Sequence, residues 1–387
     1  MTTKKDIENA LMRGADTLRD TIDAANYKDY VLPIMFVKYL SDSYEDALDE
    51  LKKEYSGIRL ERQKRYLPFT IAEECSFQSL YDQRYSDKIG QLINAAMRKI
   101  EADNNQQLAG VLNTVDYNSE NALGTLDHKK AILRDLLEDF EPLSLRPSDI
   151  EVKPGQVPAD VIGDAYEYMI GQFASMAGKK AGSFYTPAAV SEIMARIVNV
   201  QPGERVYDPT CGSGSLLIKA AKKQNSKEVS IYGQEVNGSS VAMAKMNMYI
   251  HEIRDAKIGW GDTLANPVFL DADGNLLLFD AIVANMPFSK DKWASGFNPG
   301  GESSGKGKKE FKMEATLDKF HRFDWGVPPT SKGDYAFVLH MLSSLDAENG
   351  RMAVVLPHGV LFRGASEGKI RRQLVEMNLL DAVIGLP

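Results

Sequence analysis

The second half of the chain alternates short apolar segments with helical segments, and this alternation constrains the fold more than any other feature. Strand-like segments occupy 204–210, 229–236, 256–262, 276–285 and 350–361. Most are separated by segments with helical periodicity. The fourth, LLLFDAIVAN, is almost entirely apolar, as expected of a strand covered on both faces. The pattern predicts a doubly wound α/β domain with a parallel sheet, in which ligands bind beyond the carboxyl ends of the strands.

The first part of the chain has helical periodicity and no strand-like alternation. Segments 86–101 and 129–140 both carry apolar residues at helical spacing behind a capping residue. Segment 144–160 contains three prolines and resembles a linker. The sequence therefore predicts an all-helical N-terminal domain over 1–150 and a second domain over 151–387.

Cysteine, histidine and apolar content exclude several classes of protein. Two cysteines, Cys75 and Cys211, and five scattered histidines exclude a disulfide scaffold and a four-cysteine zinc site, so no metal is predicted. The N-terminus has no apolar core typical of a signal peptide. The most apolar run, 30–40, is too short to span a bilayer and contains Lys38. We expect a cytoplasmic protein without a membrane segment.

The first strand of the α/β domain ends in the sequence DPTCGSGS. Gly212 and Gly214 allow the backbone to pass close to a ligand just before a helix begins. Leu217 occupies the position of the third glycine of a dinucleotide-binding turn, and no Gly-Lys-Ser/Thr follows, which excludes a P-loop. The alternative interpretation is a tight turn between strand and helix.

Acidic residues stand at the ends of the second and third strands. Glu235 stands about 20 positions after the glycine turn, where a carboxylate can accept hydrogen bonds from ribose hydroxyls. Asp262 can accept from the exocyclic amine of an adenine. The alternatives are a solvated glutamate at a strand end and a helix-capping aspartate. Together the three strand ends predict a pocket for an adenosine that bears no phosphates.

The fourth strand ends in Asn285-Met286-Pro287-Phe288, the most specific signal in the chain. An asparagine there can accept hydrogen bonds from an exocyclic amine, and the aromatic ring can stack on a flipped base. Upstream, the sequence FYTP ends at Pro187. It predicts either a helix start with Thr186 as the N-cap or a loop over the ligand.

The order FYTP, DPTCGSG, QEVN, GDT, NMPF, GDYAFVLHML and GRMAVVLP resembles the amino-group DNA methyltransferases that use S-adenosylmethionine. More narrowly, it resembles the modification (methyltransferase) subunit of type I restriction–modification systems. The resemblance covers most of 160–387, and the helical segment before it also fits that family. It implies a Rossmann-like methyltransferase domain that transfers a methyl group from S-adenosylmethionine to N6 of adenine in double-stranded DNA.

The resemblance also implies a role for each motif. The methyl donor is expected to contact a set of loop and strand-end residues. In this set Asp208 lies near the donor's methionine amino group, Glu235 binds the ribose hydroxyls, and Asp262 binds the adenine amine. That set comprises Ser183, Phe184, Tyr185, Thr186, Pro187, Asp208, Gly212, Ser213, Gly214, Ser215, Glu235 and Asp262. The catalytic segment comprises Asn285, Met286, Pro287 and Phe288.

Met286 departs from the family pattern N-P-P-[YF], in which the first proline occupies its position. Any residue supplies the main-chain carbonyl that would accept the second amine hydrogen, so we expect activity to be retained. One alternative is another exocyclic-amine methyltransferase, acting on cytosine N4, RNA or a protein glutamine. Another is an assembly subunit with weakened catalysis. A nicotinamide oxidoreductase is disfavoured, because the third glycine is missing.

The charge balance bears on the partners. With 46 basic and 54 acidic residues the chain carries a net charge of −8, whereas DNA binding draws much of its affinity from basic residues. The resemblance implies that a separate DNA-specificity subunit recognises the target and that a restriction (translocase/nuclease) subunit completes the complex. It also implies two copies of this chain per specificity subunit, and a helical tail beyond residue 387.

Overall fold

The computed structural model describes residues 1–178, 185–222, 228–298 and 311–386. The α-helices, in chain order, are α1 (Lys4–Thr17), α2 (Tyr27–Glu54), α3 (Gly57–Lys64), α4 (Phe77–Asp82), α5 (Ile89–Asp103), α6 (Asn105–Leu108), α7 (Glu120–Leu123), α8 (Leu126–Phe140), α9 (Pro158–Ala177), α10 (Ala188–Val198), α11 (Ser215–Lys222), α12 (Gly238–Ile250), α13 (Asp334–Ser343) and α14 (Ala365–Glu376). The strands are β1 (Arg205–Asp208), β2 (Ser230–Glu235), β3 (Lys257–Trp260), β4 (Ala281–Asn285) and β5 (Arg351–Val355).

The chain forms two compact units, and neither is continuous in sequence. Unit 1 contains Met1–Tyr185 and Gly238–Arg254, and unit 2 contains Thr186–Asn237 and Asp255–Pro387. Within the described residues, no helix is both long enough and apolar enough to cross a membrane. The same residues contain no group of three histidine, cysteine or carboxylate side chains that could hold a metal ion.

Unit 1 is a helical body whose core is built on the apolar faces of α1, α2, α8 and α9. Ile7, Val31, Leu136 and Phe173 are among its buried side chains. The first helix starts at a capping box in which Asp6 and Thr3 satisfy each other's backbone N–H groups. The predicted all-helical N-terminal region is confirmed.

The segment interpreted as a linker, 144–160, is part of unit 1. Leu145 and Ile150 are buried in its core. The Leu145 N–H donates to Asp42 over 2.7 Å, and Thr2 forms an isolated parallel bridge with Ile150. The part around Leu145 and Ile150 is therefore held in the core, whereas residues 151–155 are exposed, as expected of a connecting segment.

The helix α12 also belongs to unit 1, although it lies between β2 and β3 in sequence. Met243, Met246 and Tyr249 are buried in the unit 1 core, and the Tyr249 ring contacts Phe36 edge-on at 5.7 Å. The compact units therefore divide differently from the segments 1–150 and 151–387. That domain boundary stays a prediction.

Unit 2 contains a five-stranded sheet in the order β3-β2-β1-β4-β5, with every neighbouring pair parallel. Strand β4 is buried on both faces, as its apolar sequence predicted. The chain runs outward from β1 through β2 to β3, then returns to β4 on the other side of β1. The predicted doubly wound α/β fold is confirmed, and its topological switch point lies between β1 and β4.

Candidate active site at the switch point of the sheet

The turn after β1 is joined to the end of β2 through a carboxylate. The Gly212 N–H donates to Glu235 Oε2 over 3.1 Å, and the Thr210 N–H donates to Asp208 Oδ1 over 2.9 Å. Gly212 and Gly214 have φ of 52° and 75°, which residues with a Cβ rarely adopt. These contacts fix the first two predicted strand ends beside each other.

Asp208 is almost fully buried, and this burial raises its pKa to about 8, with the nearby charge of Glu235 adding to the effect. Burial also raises the pKa of Glu235. Two carboxyls kept from water at one end of the sheet favour a bound cation. S-Adenosylmethionine carries an ammonium and a sulfonium charge and bears no phosphates, so the residues present fit this donor.

Hydroxyl groups line the remainder of this turn. The Oγ atoms of Ser213 and Ser215 lie 3.0 Å apart, and both residues are buried. The second Glu235 oxygen, Oε1, accepts from the Asn237 N–H over 2.8 Å. The turn 212–215 and Glu235 therefore form one hydrogen-bonded structure, and their common role in donor binding stays a prediction.

Asp262 serves the turn after β3. Its Oδ1 accepts from the N–H groups of Leu264 at 2.9 Å and Ala265 at 3.3 Å, but residues 263–265 form a turn and no helix begins here, so the helix-cap interpretation is wrong. The neighbouring Thr263 hydroxyl donates to the Pro209 carbonyl over 2.5 Å and links this turn to the end of β1. Holding the turn and binding a ligand are compatible roles for Asp262, because a carboxylate has several acceptor sites.

A buried residue that was not predicted from the sequence, Arg322, supports the same turn. It forms a buried ion pair of 2.8 Å with Asp318 and donates to the carbonyls of Thr263 and Leu264. It also contacts His340 Nδ1 at 3.1 Å, and burial together with this guanidinium lowers the pKa of that histidine. No local sequence pattern marks an arginine that is buried through contacts far along the chain.

Asn285 ends β4, and its side chain is anchored to the FYTP segment. Its Nδ2 donates to Thr186 Oγ1 over 3.3 Å. One of the two interpretations of this segment predicted Thr186 as an N-cap with Pro187 as the first helical residue. That prediction is wrong by one position: Pro187 is the N-cap of α10, and no side chain caps the helix. The Thr186 hydroxyl instead contacts the asparagine.

The remaining residues of the NMPF segment have different exposures. Met286 is buried in the core cluster of unit 2, Pro287 is half-buried, and Phe288 is 51% exposed. The methionine therefore has a packing role that the family's proline could not fill in the same way. The exposed phenylalanine ring is free of the core and available to a ligand.

A second buried ionic network follows directly after this segment. The Ser289 N–H donates to Asp334 Oδ1 over 2.7 Å, and Arg363 Nη1 donates to Asp334 Oδ2 over 2.7 Å. Arg363 also pairs with Glu367 at 3.0 Å. The role of these residues was not predicted from the sequence, although Asp334 belongs to the motif GDYAFVLHML.

Two residues of the predicted donor loop, Ser183 and Phe184, lie outside the described residues. Tyr185 is described and packs against the core of unit 1. Thr186 belongs to unit 2, so the FYTP segment runs across the boundary between the two compact units. The structure brings together, within unit 2, residues of the four predicted strand ends.

Comparisons with known proteins identify the family of both parts of the chain. Residues 157–387 match the N-6 DNA Methylase family, and residues 7–140 match the HsdM N-terminal domain. The type I restriction enzyme MpnII methylase subunit of Mycoplasma pneumoniae is 32% identical, with 98% of this chain and 73% of that protein covered. The MjaIX methylase subunit of Methanocaldococcus jannaschii is 26% identical, with 99% and 66% covered.

A solved structure with the same architecture supports the assignment. The methyltransferase subunit of a type I restriction–modification system from Streptococcus thermophilus has a TM-score of 0.80 and 31% identity, with 100% of this chain and 81% of that chain covered. The chain spans between 62% and 66% of the length of three Methanocaldococcus jannaschii relatives. The chain therefore belongs to the family of type I restriction enzyme methylase subunits, which are N6 DNA methylases that use S-adenosylmethionine.

Proposed function

We propose that this chain transfers a methyl group from S-adenosylmethionine to N6 of adenine in double-stranded DNA. The observation that carries the proposal is the position of Asn285 relative to the buried carboxylates. Asn285 ends β4 and Asp208 ends β1, and these strands are neighbours at the switch point of the sheet. An amine-binding group and a cation-binding group are thus held at one edge of one sheet.

The donor end of this site is formed by three carboxylates. Asp208 is assigned the donor's ammonium group, because a buried carboxylate beside a cation is stabilised in its ionised form. Glu235 accepts two backbone N–H groups and retains lone pairs for the ribose hydroxyls. Asp262 is assigned the adenine amine. The donor supplies a methyl group on a positively charged sulfur.

The acceptor end is formed by the NMPF segment. Because Asn285 Nδ2 donates to Thr186, its Oδ1 is the atom available to accept a hydrogen bond from the target amine. We assign the Met286 carbonyl as the acceptor of the second amine hydrogen. The Phe288 ring is assigned to stack on the face of the flipped base. The amine nitrogen forms a bond to the methyl carbon as the carbon–sulfur bond breaks, and the nitrogen then releases a proton to water.

Most of this catalysis is positioning, because both reactants must be held in line at contact distance. The methionine portion of the donor is proposed to contact the donor loop, which comprises Ser183, Phe184, Tyr185, Thr186 and Pro187. The turn residues Gly212, Ser213, Gly214 and Ser215 complete the pocket wall.

The partners follow from the family and from charge. We assign target recognition to a separate specificity subunit and place two copies of this chain on it, together with a restriction subunit. The net charge of −8 supports this division, because an acidic chain gains little affinity from phosphate contacts. The complex is expected to act on DNA in the cytoplasm.

The test uses the full protein purified with its specificity subunit. The complex is incubated with labelled S-adenosylmethionine and duplex DNA, the DNA is digested to nucleosides, and the methylated base is identified by mass spectrometry. Asn285→Ala tests the catalytic residue, and Asn349→Ala, at an exposed loop position, is the matched control.

We expect N6-methyladenine with the wild type and with Asn349→Ala, and none with Asn285→Ala. Methylation at cytosine N4 would assign the chain to the other class of exocyclic-amine enzyme. Intact donor binding without any methylated base would assign it an assembly role.

A further inference from the structure

A buried aspartate binds the residue that directly follows the NMPF segment. Asp334, at the start of α13, has no exposed surface. Its Oδ1 accepts from the Ser289 N–H over 2.7 Å, and its Oδ2 lies 3.4 Å from the Ser289 hydroxyl. The adjacent Gly333 N–H donates to the Lys290 carbonyl over 3.0 Å. Three hydrogen bonds thus tie two consecutive loop residues to the start of one helix.

The backbone at Ser289 requires such support. Its φ is 49°, in the left-handed region that residues with a side chain rarely occupy. A strained conformation of this kind persists only where surrounding contacts determine it, and such residues cluster at functional sites. The Asp334 carboxylate stabilises this conformation, because it accepts hydrogen bonds from both the N–H and the hydroxyl of Ser289.

An arginine from a third segment completes the network. Arg363, which precedes α14, donates to Asp334 Oδ2 over 2.7 Å, to Glu367 Oε1 over 3.0 Å and to Ser289 Oγ over 3.4 Å. Glu367 is 2% exposed. Well-packed apolar residues of similar volume often stabilise a protein more than a buried ionic network does. The directional hydrogen bonds of such a network, however, fix the geometry of the groups that they join.

We propose that Asp334 and Arg363 are positioning residues for methyl transfer. They hold Ser289 in its conformation. Through the adjoining backbone they also hold the Phe288 ring, the Met286 carbonyl and Asn285 in the positions required for binding the target base. The two residues contact neither reactant and act through the loop. This inference rests on the proposed function, because it names residues that serve the same reaction.

The test compares two pairs of variants in the complete complex. Asp334→Asn keeps an acceptor for Ser289 and removes the charge facing Arg363, and Arg363→Met removes the charged partner. Glu204→Gln and Arg351→Met are the matched controls. These two residues form a partly buried ion pair of 2.6 Å near the amino ends of β1 and β5, away from the strand ends that carry the site.

The readout is the single-turnover rate constant of methyl transfer at saturating donor, normalised to the number of donor-binding sites. Melting temperature and donor dissociation constant are measured alongside. Normalisation removes any loss that arises from unfolded protein. A merely structural role would lower the melting temperature and the number of sites without changing the rate constant per site.

We expect Asp334→Asn and Arg363→Met each to lower the rate constant by about 10-fold or more, since displacement of a reacting group by about 1 Å can reduce a rate by roughly 100-fold. The dissociation constant for the donor should stay within about twofold of the wild-type value. The double variant should lose little more than either single variant, because both disrupt one network. The controls should lower stability and leave the rate constant per site unchanged.

Failure of the inference can be distinguished from failure of the proposed function. An inactive wild-type complex overturns the proposed function, and the positioning role with it. An active wild type whose Asp334→Asn and Arg363→Met variants keep the wild-type rate constant overturns the positioning role alone. Equal rate losses in the control pair would also overturn it, because they would trace the effect to general destabilisation.

Discussion

The side-chain amide of Asn285 donates a hydrogen bond to the hydroxyl of Thr186, which stands 99 positions earlier in the chain. The contact joins the carboxyl end of β4 to the residue before the N-cap of α10. It also distinguishes the two ends of the amide, because the nitrogen is engaged and the oxygen remains as the acceptor. The orientation of the proposed catalytic side chain therefore depends on a threonine outside the NMPF segment.

Thr186→Val should slow methyl transfer by about 10-fold, because it removes the acceptor that orients Asn285 and leaves the amide free to rotate. Thr186→Ser, which keeps the hydroxyl, should stay within about threefold of the wild type. Single-turnover rates at saturating donor measure both variants. Equal rates for Val and Ser would show that the hydroxyl has no part in orienting the amide.

Donor binding should weaken as the pH falls below about 8. Burial raises the pKa of Asp208 to about 8, so the carboxyl is largely protonated at lower pH without a ligand. A donor ammonium favours the ionised form, and its binding then has to displace a proton. We expect the dissociation constant to rise by up to about tenfold per pH unit below this pKa. Calorimetry from pH 6 to 9 measures it, and Asp208→Asn should remove most of the slope.

Several features of this site could be predicted from the sequence, because they belong to local patterns. Glu235 and Asn285 each stand at the end of a strand-like segment, and the carboxyl ends of parallel strands meet at one edge. The glycine turn at Gly212 was readable from residue type alone. All of these features depend on segments of about ten residues.

The features that could not be predicted depend on contacts between distant segments. Asp334 binds Ser289 across 45 positions, and Arg363 reaches it across 74. Helix α12 has apolar residues that fit either a sheet or a helical body, and only the fold shows that it joins unit 1. Thr186 carried a capping signal, but its hydroxyl contacts a strand end instead.

The stability of the ligand-free protein should fall as the pH rises toward 8. The Asp208 carboxyl has a pKa of about 8 when folded and about 4 when unfolded, so the folded state holds the proton between these values. Because the folded state binds one more proton than the unfolded state in this range, the free energy of unfolding falls as the pH rises. Asp208→Asn should raise the melting temperature more at pH 9 than at pH 6. Equal shifts at both pH values would contradict the assignment of this titration to Asp208.

Met286→Pro tests whether the departure from the family pattern weakens catalysis. Met286 is 1% exposed and lies in the core cluster of unit 2, so proline should lower the free energy of unfolding by about 2 kcal/mol through lost packing. The carbonyl that accepts the target amine is present with either residue, and we therefore expect no gain in the rate of methyl transfer.

Met286→Leu is the matched control for that substitution. It conserves side-chain volume and should cost less than about 1.5 kcal/mol, with an unchanged rate. Denaturant unfolding and single-turnover methylation measure the two properties separately. A rate increase of tenfold or more in Met286→Pro, with donor affinity unchanged, would show that the methionine had loosened the catalytic loop and would assign the wild-type chain a weakened activity. A rate constant equal to that of the wild type in both variants would show that the Met286 side chain serves packing and that its carbonyl suffices for the reaction.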